Sequence, residues 1–181
     1  MIKERVDQGL VDIGILLEPV DISKYNHLRI PLQEKWGIIV SKTNSLANKP
    51  YVKKEDLKEL PLFLTNREIV QSEISNWLKG DVSLHSMFSY NFASAILPFI
   101  QDDQGAAITV EGAYQVLNQK ISFMIIFNCS GSDICFIPFY PELSTNTVFI
   151  WKKYTRLSPV IDRFIKKVQE YLEKSRSLYE K

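Results

Sequence analysis

The sequence predicts an α/β fold. Short apolar runs suited to strands alternate along the 181 residues with segments of helical periodicity. Residues 11–17 form a near-continuous apolar run, which is typical of a strand covered on both faces of a parallel sheet. Near the other end, Ser158 and Pro159 precede a long segment whose apolar residues are spaced by three and four, as in an amphipathic helix.

Composition and charge exclude several classes of function. Lys and Arg number 22 against 21 for Asp and Glu, so the net charge of +1 gives no electrostatic footprint for nucleic acid or an anionic membrane. The longest apolar stretches, such as residues 121–127, are too short to span a bilayer, and the start shows no export signal. We therefore expect a cytoplasmic protein. The length suits either one domain or two small lobes.

No metal or cofactor is expected. His27 and His85 have no carboxylate or cysteine at ligand spacing, and Cys129 and Cys135 are too few for a zinc site, so both should be reduced thiols. Nucleotide-binding and nucleophile-elbow motifs are absent from the sequence. We expect no catalytic residues and no enzymatic activity.

The first part of the chain reads as strands separated by turn signals. Pro19 ends the first strand, because proline cannot donate to a β-ladder. The predicted elements are, in order, a helix ending at Gly9, strands over 11–17, 27–32 and 35–41, a turn over 45–50, a charged helix over 53–60 and a strand over 62–64.

Helix-start signals follow the strands predicted over 62–64 and 82–90. Thr65 and Glu68 have the spacing of a capping box, which predicts a helix from there to Gly80. After a strand over 82–90, Asn91 has the character of an N-cap for a helix over 92–101. The remaining predictions are strands over 106–110, 121–127, 134–139 and 147–152, a helix over 113–118, a loop over 128–133, and the final helix with a stripe of Val160, Ile161, Phe164, Ile165, Val168 and Leu172.

Three sequence segments carry a family resemblance. They are DQGLVDIGILLEP near the start, WGIIVSKTNSLA before Glu55, Asp56 and Leu57, and VFIWKKYTRLSPVIDRFIKKV at the end. Together with the order of the elements between them, they resemble the effector-binding domain of LysR-type transcriptional regulators over nearly the whole chain. The resemblance implies a two-lobed fold similar to type 2 periplasmic binding proteins, with two crossover strands joining the lobes and a small molecule held between them.

The resemblance also implies a division of the chain. Lobe I would comprise residues 1–61 and 140–181, and lobe II residues 62–139. The family's winged helix-turn-helix, first strand and most of its first helix have no counterpart here, so we expect a fragment, or a reading frame whose start is misplaced. DNA would be bound only through the missing domain.

Candidate effector-binding residues follow strands at helix starts, where free amides favour anions. The first group is Thr65, Asn66 and Arg67, and the second is Asn91; for both, helix capping alone is an equally good interpretation. The third is Glu18 and Pro19 at the exit of the opening strand. Glu18 would suit a cation or a hydroxyl, but a solvated carboxylate explains it more simply.

The resemblance further implies a homodimer through residues 69–90 and the N-terminal helix, with Ile2, Val6 and Leu10 as the partner surface. Alternatively, Trp77 in this region packs within its own lobe. The leading hypothesis is an effector-sensing domain that binds a metabolite without changing it. Three alternatives stay open: a solute-binding protein, an enzyme on the same two-lobed scaffold, or a scaffold without a ligand.

Overall fold

The computed structural model describes residues 2–79, 84–118, 133–154 and 156–179. Its strands are β1 Gly14–Leu17, β2 Tyr25–Ser41, β3 Leu62–Thr65, β4 Ser86–Tyr90, β5 Ala106–Val110, β6 Ile134–Pro138 and β7 Ser144–Lys152. Its helices are α1 Ile2–Asp7, α2 Glu68–Leu78, α3 Ala93–Gln101, α4 Glu111–Asn118 and α5 Pro159–Tyr179, with a 3-10 turn at Lys54–Leu57. The α/β class is as predicted.

The chain divides into two compact units. The first unit comprises Met1–Gln33 and Thr145–Lys181, and the second unit comprises Glu34–Ser144. The chain passes between the units within β2 and at the start of β7, so two strands provide the connections. Residues 34–61 and 140–144 were predicted in lobe I, whereas here they belong to the second unit, in which the end of β2 pairs with β5 and β6.

The first unit is built on β1, β7 and the start of β2. β1 pairs antiparallel with β7, with Gly14 opposite Ile150 and Leu17 opposite Thr147. The opening strand is therefore not the doubly covered parallel strand that its apolar run predicted. Successive residues of β1 alternate between a buried and an exposed face, since Gly14 is buried whereas Ile15 is 53% exposed. The strand is therefore covered on one face and not on both. The core of this unit consists of Val6, Tyr25, Val148 and Ile150.

Helix α5 belongs to the first unit and begins as predicted. It starts at Pro159, and the Ser158 hydroxyl oxygen accepts a hydrogen bond from the Ile161 amide at 3.4 Å. The predicted apolar stripe is only partly buried. Ile165 is 8% exposed, whereas Val160 is 75% and Phe164 48% exposed.

The second unit contains a mixed sheet in the order β6, β2, β5, β3, β4. β2 runs antiparallel to β5 and β6, whereas β3 runs parallel to β5 and β4. On one face of the sheet, α3 and α4 cover a buried cluster of Ile39, Phe63, Ile96, Leu97, Ile100, Ala107, Leu117 and Ile134. Since strand residues alternate between faces, Ile38 and its partner Ile108 lie on the opposite face.

Strand β2 is a continuous run of 17 residues, not the two strands predicted over 27–32 and 35–41. Pro31 does not interrupt it, since this part of the strand is exposed and the missing amide leaves no buried group unpaired. Gly37 is required where β2 meets β6, because a Cβ there would overlap the Ile137 carbonyl oxygen.

Some predictions lie outside the described residues: the strand over 121–127, Cys129 and most of its loop, and Gly80 as the end of α2. Before that point, Lys79 ends α2 in a left-handed conformation with φ of 56°.

Candidate functional site

Two neighbouring parallel strands of the second unit end side by side. β3 and β4 pair in parallel with Thr65 opposite Tyr90, and each strand is followed within a few residues by a helix, α2 after β3 and α3 after β4. The carboxyl ends of parallel strands and the N-termini of the helices after them are the usual place for a ligand in an open α/β sheet. This strand-end site is the candidate.

Backbone and side-chain contacts hold the predicted residues of this site together. The Asn66 amide donates to the Tyr90 carbonyl oxygen at 3.1 Å, and the Asn66 side-chain nitrogen donates to Asn91 Oδ1 at 3.4 Å. The Arg67 amide donates to the Thr65 hydroxyl oxygen at 3.4 Å. Thr65 is half-buried, whereas Asn66, Arg67 and Asn91 are exposed. The two groups named from the sequence therefore form one cluster.

The predicted caps are not formed. The N-cap of α2 is Arg67, with no side-chain hydrogen bond, and Glu68 is the first helical residue. The capping box was predicted to pair Thr65 with the Glu68 amide. That prediction is wrong, because the Thr65 hydroxyl oxygen accepts from the Arg67 amide instead. Likewise the N-cap of α3 is Phe92, with no side-chain hydrogen bond, and Asn91 turns to Asn66 instead.

Both helix starts consequently present amides that their cap residues leave free for another acceptor. The first amides of a helix have no intrahelical partner and carry the positive end of its dipole. A ligand with a carboxylate or another acceptor group can occupy such a position.

The helix after β5 is different, because the protein fills its N-terminus itself. The Glu34 carboxylate accepts the Gly112 amide in the first turn of α4 at 2.8 Å. A Cβ at position 112 would come within 2.6 Å of that carboxylate, so a side chain there would push the Glu34 carboxylate away from the amide. Sequence reasoning missed Glu34, since 78 residues separate it from Gly112 and no local motif marks a cap supplied from so far away.

Two further residues support the strand-end site. Gln71 donates through its side-chain nitrogen to the Thr65 carbonyl oxygen at 3.0 Å and so ties the start of α2 to the end of β3. The Tyr90 hydroxyl donates to the Ile108 carbonyl oxygen at 3.4 Å. Burial raises the pKa of Tyr90 to about 12, although the nearby positive charge of Arg67 opposes the shift. Tyr90 is therefore a neutral donor at physiological pH, and Arg67 supplies positive charge at the surface of the site.

Glu18 and Pro19 lie in the first unit, directly after β1. Glu18 Oε1 forms an ion pair with Arg29 Nε at 2.9 Å, and the Glu18 side chain is only 16% exposed. Its carbonyl oxygen accepts a hydrogen bond from the Thr145 hydroxyl, and Pro19 is exposed. Glu18 is thus neither a freely solvated carboxylate nor an unpaired acceptor, because Arg29 balances its charge.

The described residues include no group of three or more His, Cys, Asp or Glu side chains placed to hold a metal ion. His27 and His85 are both exposed, and Cys135 is a free thiol. Among the helices described, none is long and apolar enough to cross a membrane.

Fold and site together define a class of protein. An α/β chain of two units joined by two strands has the type 2 periplasmic-binding-protein-like fold. The family model of the LysR substrate binding domain matches residues 1–173. The chain therefore belongs to the LysR substrate-binding domain family, as its sequence segments indicated.

Relatives and solved structures agree with this assignment. The "Uncharacterized HTH-type transcriptional regulator YvbU" of Bacillus subtilis is 24% identical over 110 residues, which are 61% of this chain and 37% of YvbU. The CcmR regulatory domain of Synechocystis PCC6803, solved in complex with 2-PG, has a TM-score of 0.70 at 14% identity, covering 94% of this chain and 76% of that one. The effector binding domain of QuiR, solved with shikimate, has a TM-score of 0.70 at 14% identity, covering 96% and 77%. The matched part of this chain thus spans little more than a third of the curated relative.

Proposed function

We propose that this chain senses a small anionic metabolite at the strand-end site and does not transform it. One observation carries the proposal: α2 and α3 begin without side-chain caps just after neighbouring strand ends, near Arg67, whereas Glu34 already accepts an amide at the start of α4. A carboxylate or phosphate on the effector would accept from the free amides and from Arg67. Asn66 and Asn91 would contribute adaptable polar contacts, and Thr65 would position the loop between them.

The solved relatives support this ligand class. The QuiR domain was solved with shikimate, which carries a carboxylate, and the CcmR regulatory domain with 2-PG. Glu18 and Pro19 remain proposed contacts of the first unit. Because Arg29 neutralises Glu18, we assign that position a role in orienting a hydroxyl group of the effector and not in binding a cation.

We also propose a wider role in transcription regulation. Effector binding would alter how a winged helix-turn-helix domain engages DNA in the cytoplasm. Such coupling can be no larger than the effector's difference in affinity between the two arrangements of the regulator.

A homodimer through residues 69–90 and α1 remains part of the proposal. The β4 edge supports it, since Met87 is 53% exposed, and Ile2 and Leu10 are also exposed. Val6, predicted as part of the partner surface, is unavailable at 1% exposure. Trp77 is 8% exposed and packs within its own unit, so it is not an interface anchor.

A thermal-shift screen tests the sensing proposal. Organic acids, amino acids and aromatic carboxylates are added singly, and a ligand at about 100 times its Kd should stabilise the native state by about 2.7 kcal/mol. Chromatography of the mixture afterwards should recover the stabilising compound unchanged. Chemical turnover of that compound would favour an enzyme instead, and a panel without any stabilising compound would refute sensing of an anionic metabolite.

A further inference from the structure

The second unit contains a cavity that the proposed effector site does not use. It has a volume of about 350 Å³ and lies between the inner face of α2 and the sheet. Val70, Ile74 and Leu78 line it from the helix, and Leu64, Ile108 and Leu84 line it from the other side. It is half open to solvent on the side of the exposed residues Gln71 and Ser75, and its deeper wall is formed by buried side chains.

The cavity is distinct from the strand-end site. It runs beneath α2 from Val70 near the helix start to Leu78 at its last residue, whereas the proposed effector contacts lie beyond the first turn. Leu64 and Ile108 reach it from the sheet face opposite the one that α3 and α4 cover. Only Thr65 and Gln71, at one end, are close to both places.

The lining selects the chemistry of a guest. No residue named in the lining carries a charge, and Val70, Ile74, Leu78 and Ile108 are each at most 6% exposed. Three polar but uncharged residues, Thr65, Gln71 and Ser75, also line it. Gln71 donates to the Thr65 carbonyl oxygen, and the Thr65 hydroxyl oxygen accepts from the Arg67 amide. A charged guest would lose hydration against the apolar wall without finding a charged partner in this lining, whereas an apolar guest gains by leaving water.

We infer that this cavity is a second binding site, for a small uncharged apolar molecule such as an aromatic ring or a branched hydrocarbon. The volume lies within the range of small-molecule pockets, which are lined mostly by apolar side chains with a few polar groups. The inference does not depend on the anionic effector, since the two ligands would be held by different groups of α2: its free amides in one case and its apolar face in the other.

Fluorine NMR with fluorobenzene as the probe tests the site. The wild-type chain should bind it saturably at one site. Val70→Phe and Leu64→Phe fill the cavity from opposite sides and should each weaken binding by about tenfold or more. Val116→Phe is the matched control, because Val116 lies on α4, is 57% exposed and is remote from the lining. Circular dichroism checks that each variant is folded.

A measurement on the wild-type chain tests the inference even if the variants fail to fold. Nuclear Overhauser contacts from bound fluorobenzene to the methyl groups of Ile74 and Ile108 in the wild-type chain should place the probe in the cavity. Absence of saturable binding, contacts only to other methyl groups, or unchanged affinity in folded Val70→Phe would each overturn the inference.

Discussion

At the scale of single residues, the candidate site depends on which acceptor reaches each helix start. Glu34, on β2, accepts the Gly112 amide at the start of α4, whereas Thr65 and Asn91, adjacent to α2 and α3, bond to loop groups instead. The sequence predicted Thr65, Asn66 and Arg67 as one candidate group and Asn91 as another, and the contact between Asn66 and Asn91 joins the two groups. Sequence spacing could not predict the caps, because whether a hydroxyl bonds an amide two or three residues on depends on the exact turn geometry.

Replacing Glu34 tests the filled helix start. Glu34→Ala should reduce the free energy of unfolding by about 1–2 kcal/mol, since it removes an acceptor from helix amides at a half-buried position. Urea unfolding measures the loss. Glu142→Ala is the control, because its pair with Lys35 at 3.0 Å is exposed and should contribute less than about 1 kcal/mol. Equal stability of Glu34→Ala and the wild type would show that Glu34 does not cap α4.

Tyr25 predicts an alkaline loss of stability. Burial, together with its hydrogen bond to Asp7 Oδ1 at 2.7 Å, raises the pKa of Tyr25 to about 12 from an ordinary value of 10.0. The unfolded chain releases this proton first, so the stabilisation is complete below pH 10 and is lost as the pH rises toward 12. Urea unfolding at a series of alkaline pH values should show a steeper decline for the wild type than for Tyr25→Phe. Identical slopes would contradict the assignment.

At the scale of elements, Trp77 anchors the C-terminal end of α2 to the rest of the second unit. The Trp77 ring stacks on Phe139 with centroids 4.3 Å apart, and its Nε1 donates to the Pro141 carbonyl oxygen at 2.8 Å. Lys54 Nζ lies 5.7 Å from the centre of the same ring. These contacts fix the end of the helix opposite the strand-end site.

Substitutions of Trp77 separate packing from hydrogen bonding. Trp77→Phe should cost about 1 kcal/mol, because it keeps an aromatic ring against Phe139 but removes the donor to Pro141. Trp77→Ala should cost about 3–5 kcal/mol, because it also leaves a void. Denaturant unfolding measures both values. If Trp77→Phe proved as damaging as Trp77→Ala, the hydrogen bond and not the packing would be the main anchor.

The types of most elements could be predicted, whereas their partners could not. The apolar run over 106–110 correctly indicated β5, and Ser158 with Pro159 correctly indicated the start of α5. The same signal misjudged β1, since an apolar run cannot show that its neighbour will be the antiparallel β7, supplied from near the other end of the chain. Pro31 led to a prediction of two strands where the structure has the single strand β2. The sequence could not show that the missing amide of Pro31 would leave no hydrogen-bonding partner unpaired.

At the scale of the whole molecule, the resemblance gave the family correctly, but the boundary between the units differs from the predicted lobes. A strand such as β2 belongs to the first unit up to Gln33 and to the second from Glu34, and only its pairing with β5 and β6 reveals the change. Gln71 and the cavity beneath α2 were likewise unpredicted, because both depend on how α2 lies on the sheet.

Calorimetric titration with the acid that stabilises the chain most in the screen tests the central claim most directly. Arg67 and Arg163 are both exposed, but only Arg67 lies at the strand-end site, whereas Arg163 is on α5. Arg67→Ala should weaken binding by about tenfold or more, since a hydrogen bond to a charged group contributes about 1.5–3 kcal/mol, and Arg163→Ala should bind as the wild type does. Wild-type affinity in a folded Arg67→Ala variant would contradict an anionic effector at the strand ends.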